Sequence, residues 1–403
     1  MSESQIAIVG GGIFGTAAAE ALARVGYSVA LYERGSLHHA TSNNSHQIIH
    51  GGLRYLQQCD FRRLARSLAA KNYCLENLSE HVAPLRCALG ISGRGMKRAS
   101  ILATAGIGYG FISTLFGFPT EWNGIASKEQ LALNQFFKNC KEKKFFQWSD
   151  ARILNPSELA AHLVRSFIDC GGVVHENQEV VSIQQEADEY VLQIADGRKK
   201  KANLIILCLG PWANCIELPV PLHHDVENWA LAFNLVLQRN IVGENALGFE
   251  SADTRQILFF SPRGVRAQDN GSINGTELHT AVGTWYIPCT EQGNEPLRVP
   301  DSHVEQALQE INRTLAPQQP LHQSDIARVE CGVLPVRRFC GDVPQFFGSD
   351  RIITNAGIAS VLSTKYTTFS QTAEELVEWV SRHPKVMTPK KHEGVGERGE
   401  ERV

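Results

Sequence analysis

The 403-residue sequence has almost no excess of charge of either sign. Lysine and arginine total 39 against 42 aspartate and glutamate residues, so the net charge is −3. A protein that binds nucleic acid needs a basic surface, and this balance therefore argues against nucleic acid as a partner. Because 43% of the residues are hydrophobic, the chain can bury a large core. A small-molecule substrate is the partner that this composition favours.

Paired cysteines are also missing. The ten cysteines form no Cys-x-x-Cys pair and follow no regular spacing, which predicts free thiols, a reducing compartment and no metal site. The first residues, MSESQIAIVG, lack the basic region and cleavage site of a secretory signal. We therefore expect the protein in the cytoplasm.

Long apolar runs are scarce, with one exception at residues 99–118. This segment, ASILATAGIGYGFISTLFGF, has 20 residues without a charge, which is long enough to span a bilayer. Four glycines and four serine or threonine residues lower its hydrophobicity and favour a buried helix or a helix of a cap. Peripheral contact with the inner face of a membrane is the alternative.

The strongest local signal lies near the N-terminus. The apolar strand QIAIV runs into GGGIFG, residues 10–15, and a helical segment follows. This is the G-x-G-x-x-G pattern of dinucleotide-binding folds. Gly10 allows a tight turn, Gly12 admits a pyrophosphate to the helix N-terminus, and Gly15 lets the helix pack on the strand. The next strand, YSVALYE, ends at Glu33, whose carboxylate would accept hydrogen bonds from a ribose.

The remaining pattern predicts an α/β protein with two sheets. The apolar segment ANLIILCLGPWAN is typical of a buried parallel strand that returns to the first sheet, whereas the segments between residues 226 and 288 alternate as in an antiparallel sheet. We expect a Rossmann-like nucleotide-binding domain, discontinuous in sequence, and an antiparallel-sheet substrate domain. The predicted boundaries are 1–85, 150–220 and 330–382 for the nucleotide-binding domain, 86–149 for a helical cap or insertion, 221–329 for the substrate domain and 383–403 for a disordered tail.

Five segments in order resemble one family. They are TSNNSHQIIHGGLRYLQ (41–57), DARIL (150–154), GPW (210–212), CGV (331–333) and STKYTT (363–368). They resemble the FAD-dependent oxidoreductases of the D-amino-acid-oxidase type, and most closely the FAD-dependent (aerobic) glycerol-3-phosphate dehydrogenases. The resemblance implies FAD as cofactor and a dehydrogenase or oxidase that removes hydride from a small polar hydroxy or polyol-phosphate donor.

The resemblance also implies the site residues. His50, Arg54 and Lys365 would act at the substrate, with Lys365 as a cation near the flavin, although a core histidine and two surface charges are the plain structural alternatives. Gly51 and Gly52 would leave room for the flat flavin ring. Covalent attachment of FAD through His46 or His50 stays open. The residues expected to bind FAD are Gly10, Gly12, Ile13, Phe14, Gly15, Glu33, Arg34, Thr41, Ser42, Ser45, His46, Gln47, Gly51, Val180, Gly210, Trp212, Ser363, Thr364 and Lys365.

Some positions depart from the pattern of the glycerol-3-phosphate dehydrogenases. Leu334 stands where those enzymes carry an arginine, Ala230 where they carry a histidine and Gln47 where they carry a lysine. Arg337 and Arg338 lie close enough in sequence to supply a charge. The departures keep two alternatives open: an amine or amino-acid oxidase of the same fold, and a flavoprotein that keeps FAD structurally without turnover. The electron acceptor, a quinone or oxygen, and the oligomeric state are not fixed by the sequence.

Overall fold

The computed structural model describes residues 5–56, 58–91, 106, 108–111, 114–115, 124–213, 215–264, 278–289, 298–341, 343–384 and 386. Most of the apolar segment 99–118 and of the predicted tail 383–403 lies outside these residues. Within them, no helix combines the length and the hydropathy needed to cross a membrane.

The described elements alternate between the two secondary-structure types along the chain. The helices are α1 (Ile13–Val25), α2 (Leu53–Leu56), α3 (Phe61–Asn77), α4 (Pro156–Asp169), α5 (Asp301–Leu315) and α6 (Phe369–Ser381). The strands are β1 (Ile6–Val9), β2 (Val29–Tyr32), β3 (Ile48–Ile49), β4 (Val82–Gly90), β5 (Gly124–Ser127), β6 (Lys144–Ile153), β7 (Val173–His175), β8 (Val180–Glu186), β9 (Glu189–Ile194), β10 (Lys199–Ala202), β11 (Leu204–Leu207), β12 (Asn228–Leu237), β13 (Ala246–Glu250), β14 (Ile257–Gly264), β15 (Leu278–Cys289), β16 (Ile326–Cys340), β17 (Val343–Phe346), β18 (Arg351–Asn355) and β19 (Ile358–Leu362).

The first sheet has six strands in the order β18-β19-β11-β1-β2-β7. Strand β1 lies at its centre and pairs in parallel with both β2 and β11. These three strands are buried along their whole length, as their continuous apolar sequences predicted. Helix α1 packs between α4 and α6 on one face. The carboxyl ends of the parallel strands therefore meet at one edge, where ligands bind in folds of this type.

The second large sheet has ten strands and is mainly antiparallel. Its path is β17-β16-β12-β15-β14-β13-β4-β6-β3, and β5 pairs with β6. Helix α5 contributes buried residues to the apolar cluster that covers part of this sheet. The prediction of an α/β fold with a Rossmann-like sheet and an antiparallel sheet is confirmed.

The described residues of the region 86–149 contain more strand than helix, whereas the sequence predicted a helical cap or insertion there. Its described residues include most of β4 and β6 and all of β5, which extend the antiparallel sheet, while helical residues there are few. The physical reason is visible in β4, VAPLRCALG, whose buried and exposed positions largely alternate as in a strand. The division of the chain into domains stays a prediction.

A buried ion pair connects the antiparallel sheet to the polar segment 41–47, which follows β2 in the chain. The guanidinium of Arg263 on β14 lies 3.0 Å from the carboxylate of Glu330 on β16, and both side chains are fully buried. Nη2 of Arg263 also donates a hydrogen bond to the carbonyl oxygen of Ser45 at 3.1 Å. Arg328 donates to the other oxygen of Glu330 at 3.0 Å. The pair therefore fixes the backbone of the polar segment against the sheet.

Replacing Glu330 with glutamine is expected to lower the free energy of unfolding by about 3–5 kcal/mol, because Arg263 then keeps a buried charge without its counter-charge. Urea denaturation measures the loss. The matched control is Asp253→Asn, which breaks a more exposed ion pair with Arg313 and should cost less than about 1 kcal/mol. Equal losses in the two variants would contradict the role of the buried pair.

Candidate active site

A cavity of about 740 Å³ lies between the carboxyl ends of the parallel strands and one face of the antiparallel sheet. It extends from the glycine loop before α1 to the segment before α6. Almost all of the residues that the sequence predicted for the site line it: Gly10, Gly12, Ile13, Phe14, Glu33, Arg34, Thr41, Ser42, Ser45, His46, Gln47, His50, Arg54, Val180, Gly210, Trp212, Ser363, Thr364 and Lys365. The fold thus brings together residues that are far apart in sequence, while their individual roles stay predictions.

Two predicted cofactor residues, Gly15 and Gly51, do not line the cavity. A Cβ atom on Gly15 would lie 1.9 Å from the carbonyl oxygen of Gly10, so this glycine allows α1 to pack on the loop, as predicted. The expectation for Gly51 and Gly52 needs correction. A side-chain atom of Tyr109 occupies the space beside Gly51, and side-chain atoms of Ser67 and Tyr55 occupy the space beside Gly52. Close protein packing, rather than room for a flavin ring, therefore requires glycine at both positions.

The N-terminus of α1 has the features of a pyrophosphate site. Gly10 has a φ of +107°, which favours glycine, and no acidic residue lies in the first turn of the helix. The amide of Ile13 donates to the hydroxyl oxygen of Ser42 at 3.0 Å, so the hydroxyl proton of Ser42 stays available to an anion. The carboxylate of Glu33 accepts hydrogen bonds from the amides of Gly11 (2.7 Å) and Gly35 (2.9 Å). Each oxygen keeps a further lone pair for a ribose hydroxyl.

Polar atoms without partners indicate that the cavity fits a polar ligand. Nε1 of Trp212, Oε1 of Gln178 and the hydroxyl of Tyr366 are buried in its wall, and no described residue satisfies them. Buried polar groups normally have a hydrogen-bond partner, so a bound molecule is the natural source. The guanidinium of Arg34 stacks over the Trp212 ring at 4.1 Å. These residues fit a dinucleotide cofactor that continues from the α1 end.

The polar segment 41–47 lies against the antiparallel sheet along the cavity. The hydroxyl of Thr41 accepts a hydrogen bond from the amide of Val333 at 3.2 Å. His46 contacts Asn234 through Nδ1 at 3.1 Å and Ser261 through Nε2 at 3.2 Å. Burial, followed by the charge of Arg263, lowers the pKa of His46 to about 3, so its ring is neutral at physiological pH. Both ring nitrogens of His46 are therefore held by the protein.

His50 lies beside a buried carboxylate that the sequence analysis had not assigned to the site. Nδ1 of His50 is 2.9 Å from Oδ2 of Asp150, and Asp150 is 2% exposed. Burial alone would raise the pKa of Asp150, but hydrogen bonds from His50, Gly51 and Trp148 outweigh it and hold the pKa below its ordinary value. An ionised carboxylate can only accept, so Nδ1 of His50 carries the proton in this hydrogen bond.

The sequence marks Asp150 as an unusual residue, although it does not show that His50 is its partner. It is the one acidic residue in β6, KFFQWSDARI, and it lies in one of the segments that carry the family resemblance. Its carboxylate accepts from the Gly51 amide at 2.8 Å and from Nε1 of Trp148 at 3.0 Å. With more than half of its side chain exposed (56%), His50 presents the remaining nitrogen to the cavity.

Two cations line the same end of the cavity. Nζ of Lys365 lies 4.2 Å from the centre of the Tyr55 ring. Packing of protein around the amine, together with the nearby charge of Arg54, lowers the pKa of Lys365 to about 8. Among the described residues, no carboxylate lies within 4.0 Å of Arg54 or Lys365. An anionic ligand would relieve the repulsion between the two cations.

The segment that carries Lys365 is held in place by Asp350. One oxygen of this carboxylate accepts hydrogen bonds from the amide (2.8 Å) and the hydroxyl (3.0 Å) of Thr364, and the other accepts from the hydroxyl of Thr368. Arg66 on α3 lies 3.8 Å from the same carboxylate. Asp350 thus fixes both sides of Lys365, a role that no local sequence pattern signals.

A nucleotide-type loop at one end of a cavity, with a histidine and two cations at the other, defines the class of dinucleotide-dependent redox enzymes. The particular family follows from comparison. Residues 5–377 match the family described as FAD dependent oxidoreductase (DAO), and the chain belongs to this family. It is therefore an FAD-dependent oxidoreductase, and FAD is its cofactor. The resemblance recognised from the short segments is confirmed.

Relatives of known activity and structure extend the comparison. The chain is 26% identical over 397 residues to the aerobic glycerol-3-phosphate dehydrogenase of Escherichia coli (strain K12), covering 94% of this chain and 73% of the relative. It is 23% identical over 386 residues to the D-erythritol 1-phosphate dehydrogenase of Brucella abortus (strain 2308), covering 91% and 71%.

Solved structures share the fold at lower identity. Glycine oxidase from Geobacillus kaustophilus superposes with a TM-score of 0.67 at 16% identity and covers 98% of this chain and 100% of its own. The glycerol-3-phosphate dehydrogenase from Bacillus halodurans complexed with FAD gives a TM-score of 0.61 at 15% identity. That match covers 94% of this chain and 64% of the Bacillus halodurans chain.

The affinity of the FAD-loaded protein for sulfate is expected to fall as the pH rises through about 8, by up to about tenfold per pH unit, because Lys365 loses its charge. Sulfate keeps a constant charge over this range, and calorimetric titration measures the affinity. Lys365→Arg should remove most of the pH dependence, because a guanidinium stays protonated, and Lys365→Met should bind weakly throughout. An unchanged pH dependence in Lys365→Met would show that another group is responsible.

Proposed function

We propose that the protein dehydrogenates a small anionic hydroxy donor, a polyol phosphate or a hydroxy acid, with FAD as the hydride acceptor. The observation that carries this proposal is the juxtaposition of His50, held by Asp150, with Arg54 and Lys365 at one end of the cavity. The names of the curated relatives, glycerol-3-phosphate and D-erythritol 1-phosphate dehydrogenases, support a phosphorylated polyol.

The proposed division of the chain keeps the boundaries predicted from the sequence. Residues 1–85, 150–220 and 330–382 would form the FAD-binding domain; they contain the whole parallel sheet, and also β3, β17 and most of β16 of the antiparallel sheet. Residues 221–329 would carry the substrate. The α1 N-terminus and Ser42 would hold the pyrophosphate, and Glu33 the ribose. The other cofactor residues predicted from the sequence would bind FAD along the polar segment 41–47 and the segment 363–365.

Each substrate-side residue has a distinct proposed role. Bound FAD supplies an acceptor for the two electrons and hydrogen of a hydride. Nε2 of His50 accepts the proton of the donor hydroxyl, and Asp150 holds the ring in the required tautomer and stabilises the resulting imidazolium. Arg54 and Lys365 bind the anionic group and so orient the carbon that loses hydride.

An amine or amino-acid donor is the second candidate. Its support is the same pair of cations, which would bind an amino-acid carboxylate equally well, together with the apolar Leu334. A flavoprotein without turnover is the third candidate, although it would not require His50 to face the cavity.

We also keep a quinone or oxygen as the electron acceptor. The proposed location is the cytoplasm. Peripheral contact with the inner face of a membrane is the alternative, which the exposed Phe111 and Leu115 support.

Anaerobic mixing with a panel of donors tests the proposed function. We expect glycerol 3-phosphate or lactate to bleach the flavin, whereas glycerol, which matches the first donor but lacks its charge, should not. Faster bleaching by glycine or alanine would establish the amine candidate instead. No bleaching by any donor would support a structural flavin. Readmission of air or of a soluble quinone then identifies the electron acceptor.

The variant Asp150→Asn should slow flavin reduction by at least about a hundredfold, because an amide no longer enforces the tautomer of His50. FAD content and sulfate affinity should be retained. The control is a double-mutant cycle with His50→Gln. If Asp150 acts through His50, the double variant is no slower than His50→Gln alone. Independent, additive losses would contradict this arrangement.

A further inference from the structure

The substrate end of the cavity has an apolar wall beside the two cations. Leu334 on β16 is half-buried, lines the cavity and pairs in register with Ala230 on β12. Ala232, two residues further along β12, lines the cavity and pairs with Tyr286 on β15. Arg54 is close enough to Tyr286 for its charge to act on the phenol. The cations and this apolar wall therefore belong to the same compartment.

The hairpin of β16 and β17 completes the wall. Phe346 packs edge-on against Tyr286 with ring centres 5.1 Å apart, and Phe347 is fixed by the guanidinium of Arg351 at 4.4 Å. Pro335 and Pro344 have no amide hydrogen to donate. Gln345, the polar residue of this hairpin that lines the cavity, receives a hydrogen bond from Arg338 at 2.7 Å. The wall thus offers a ligand mainly apolar surface. Its polar groups have partners in the protein, because the Tyr286 hydroxyl forms a hydrogen bond with Thr284 and the Gln345 oxygen accepts from Arg338.

We propose that the donor is an anion with an apolar body, a hydroxy acid whose aliphatic or aromatic side chain rests on Leu334, Tyr286 and Phe346. This inference deepens the proposed function and rests on it. A polyol chain against this wall would leave hydroxyl groups without partners, which costs free energy. An apolar chain instead removes its own surface and that of the half-buried wall residues from water.

Binding of dead-end carboxylates to the FAD-loaded protein tests the wall without turnover. Affinities for propanoate, pentanoate and 3-phenylpropanoate are compared by calorimetric titration. We expect affinity to rise by about two- to fourfold for each added methylene, and 3-phenylpropanoate to bind more tightly than propanoate. Affinity that does not rise with chain length would overturn the proposal.

Variants test which residues produce the gain in affinity per methylene. Phe346→Ala should lose most of the gain per methylene while its affinity for propanoate changes little. Phe61→Ala, which removes an exposed aromatic ring on α3 that does not line the cavity, is the matched control and should keep the gain. Leu334→Arg should lower the gain per methylene, because a charged side chain replaces apolar surface, and should improve use of glycerol 3-phosphate, because a guanidinium pairs with phosphate. A gain that survives Phe346→Ala and Leu334→Arg would contradict the assigned wall.

The same proteins separate the failure of this inference from failure of the proposed function. Anaerobic reduction by 2-hydroxyhexanoate should be at least about tenfold more efficient than reduction by lactate. If lactate and glycerol 3-phosphate reduce the flavin but chain length has no effect, the proposed function stands and the apolar body is wrong. If affinity rises with chain length but no hydroxy donor reduces the flavin, the wall is correct and the proposed function is wrong.

Discussion

The structure depends on hydrogen-bond partners for the buried polar groups of one segment, which lies between two sheets. From Thr41 to His50 the chain leaves the parallel sheet and passes along the antiparallel one, where every buried polar group needs a partner. The partners come from different elements. The start of α1 contacts Ser42, and β16 contacts Thr41. Strand β14 contacts the Ser45 carbonyl, β12 and β14 contact His46, and β6 contacts His50. One short segment therefore couples the cofactor end of the cavity to the substrate end.

The charged residues at the substrate end of the cavity differ in how the protein compensates their charges. Asp150 is buried with enough donors to remain ionised, and so it can fix His50. Within the described part of the chain, Lys365 has no carboxylate within 4.0 Å, and the adjacent Arg54 disfavours its charged form. Negative charge is thus compensated inside the protein, whereas positive charge is left for a ligand. This asymmetry is the basis on which we propose an anionic donor.

The sequence could predict features that follow from backbone geometry over a few residues. The glycine loop at 10–15 and the strand that leads to Glu33 are local, and the structure contains both, with the strand ending one residue earlier, at Tyr32. The strands β4 and β6 and the partner of His50 could not be read in this way. They depend on pairing between distant segments: the carboxylate that orients His50 lies 100 residues further along the chain. Gly51 was misjudged for the same reason, since the group that fills its space is the distant Tyr109.

The order of the central strands also constrains how the protein can be made. Ile6 pairs with Leu204, and the neighbouring Ile205 pairs with Ile358, so the parallel sheet joins segments from the start, middle and end of the chain. During synthesis, the glycine loop emerges early but has no completed cleft until β19 has left the ribosome. The first strands must therefore keep their apolar faces out of contact with other chains while most of the protein is still being translated. Completion of the cofactor cleft is consequently a late event, and a delay in it prolongs the stage at which aggregation competes with folding.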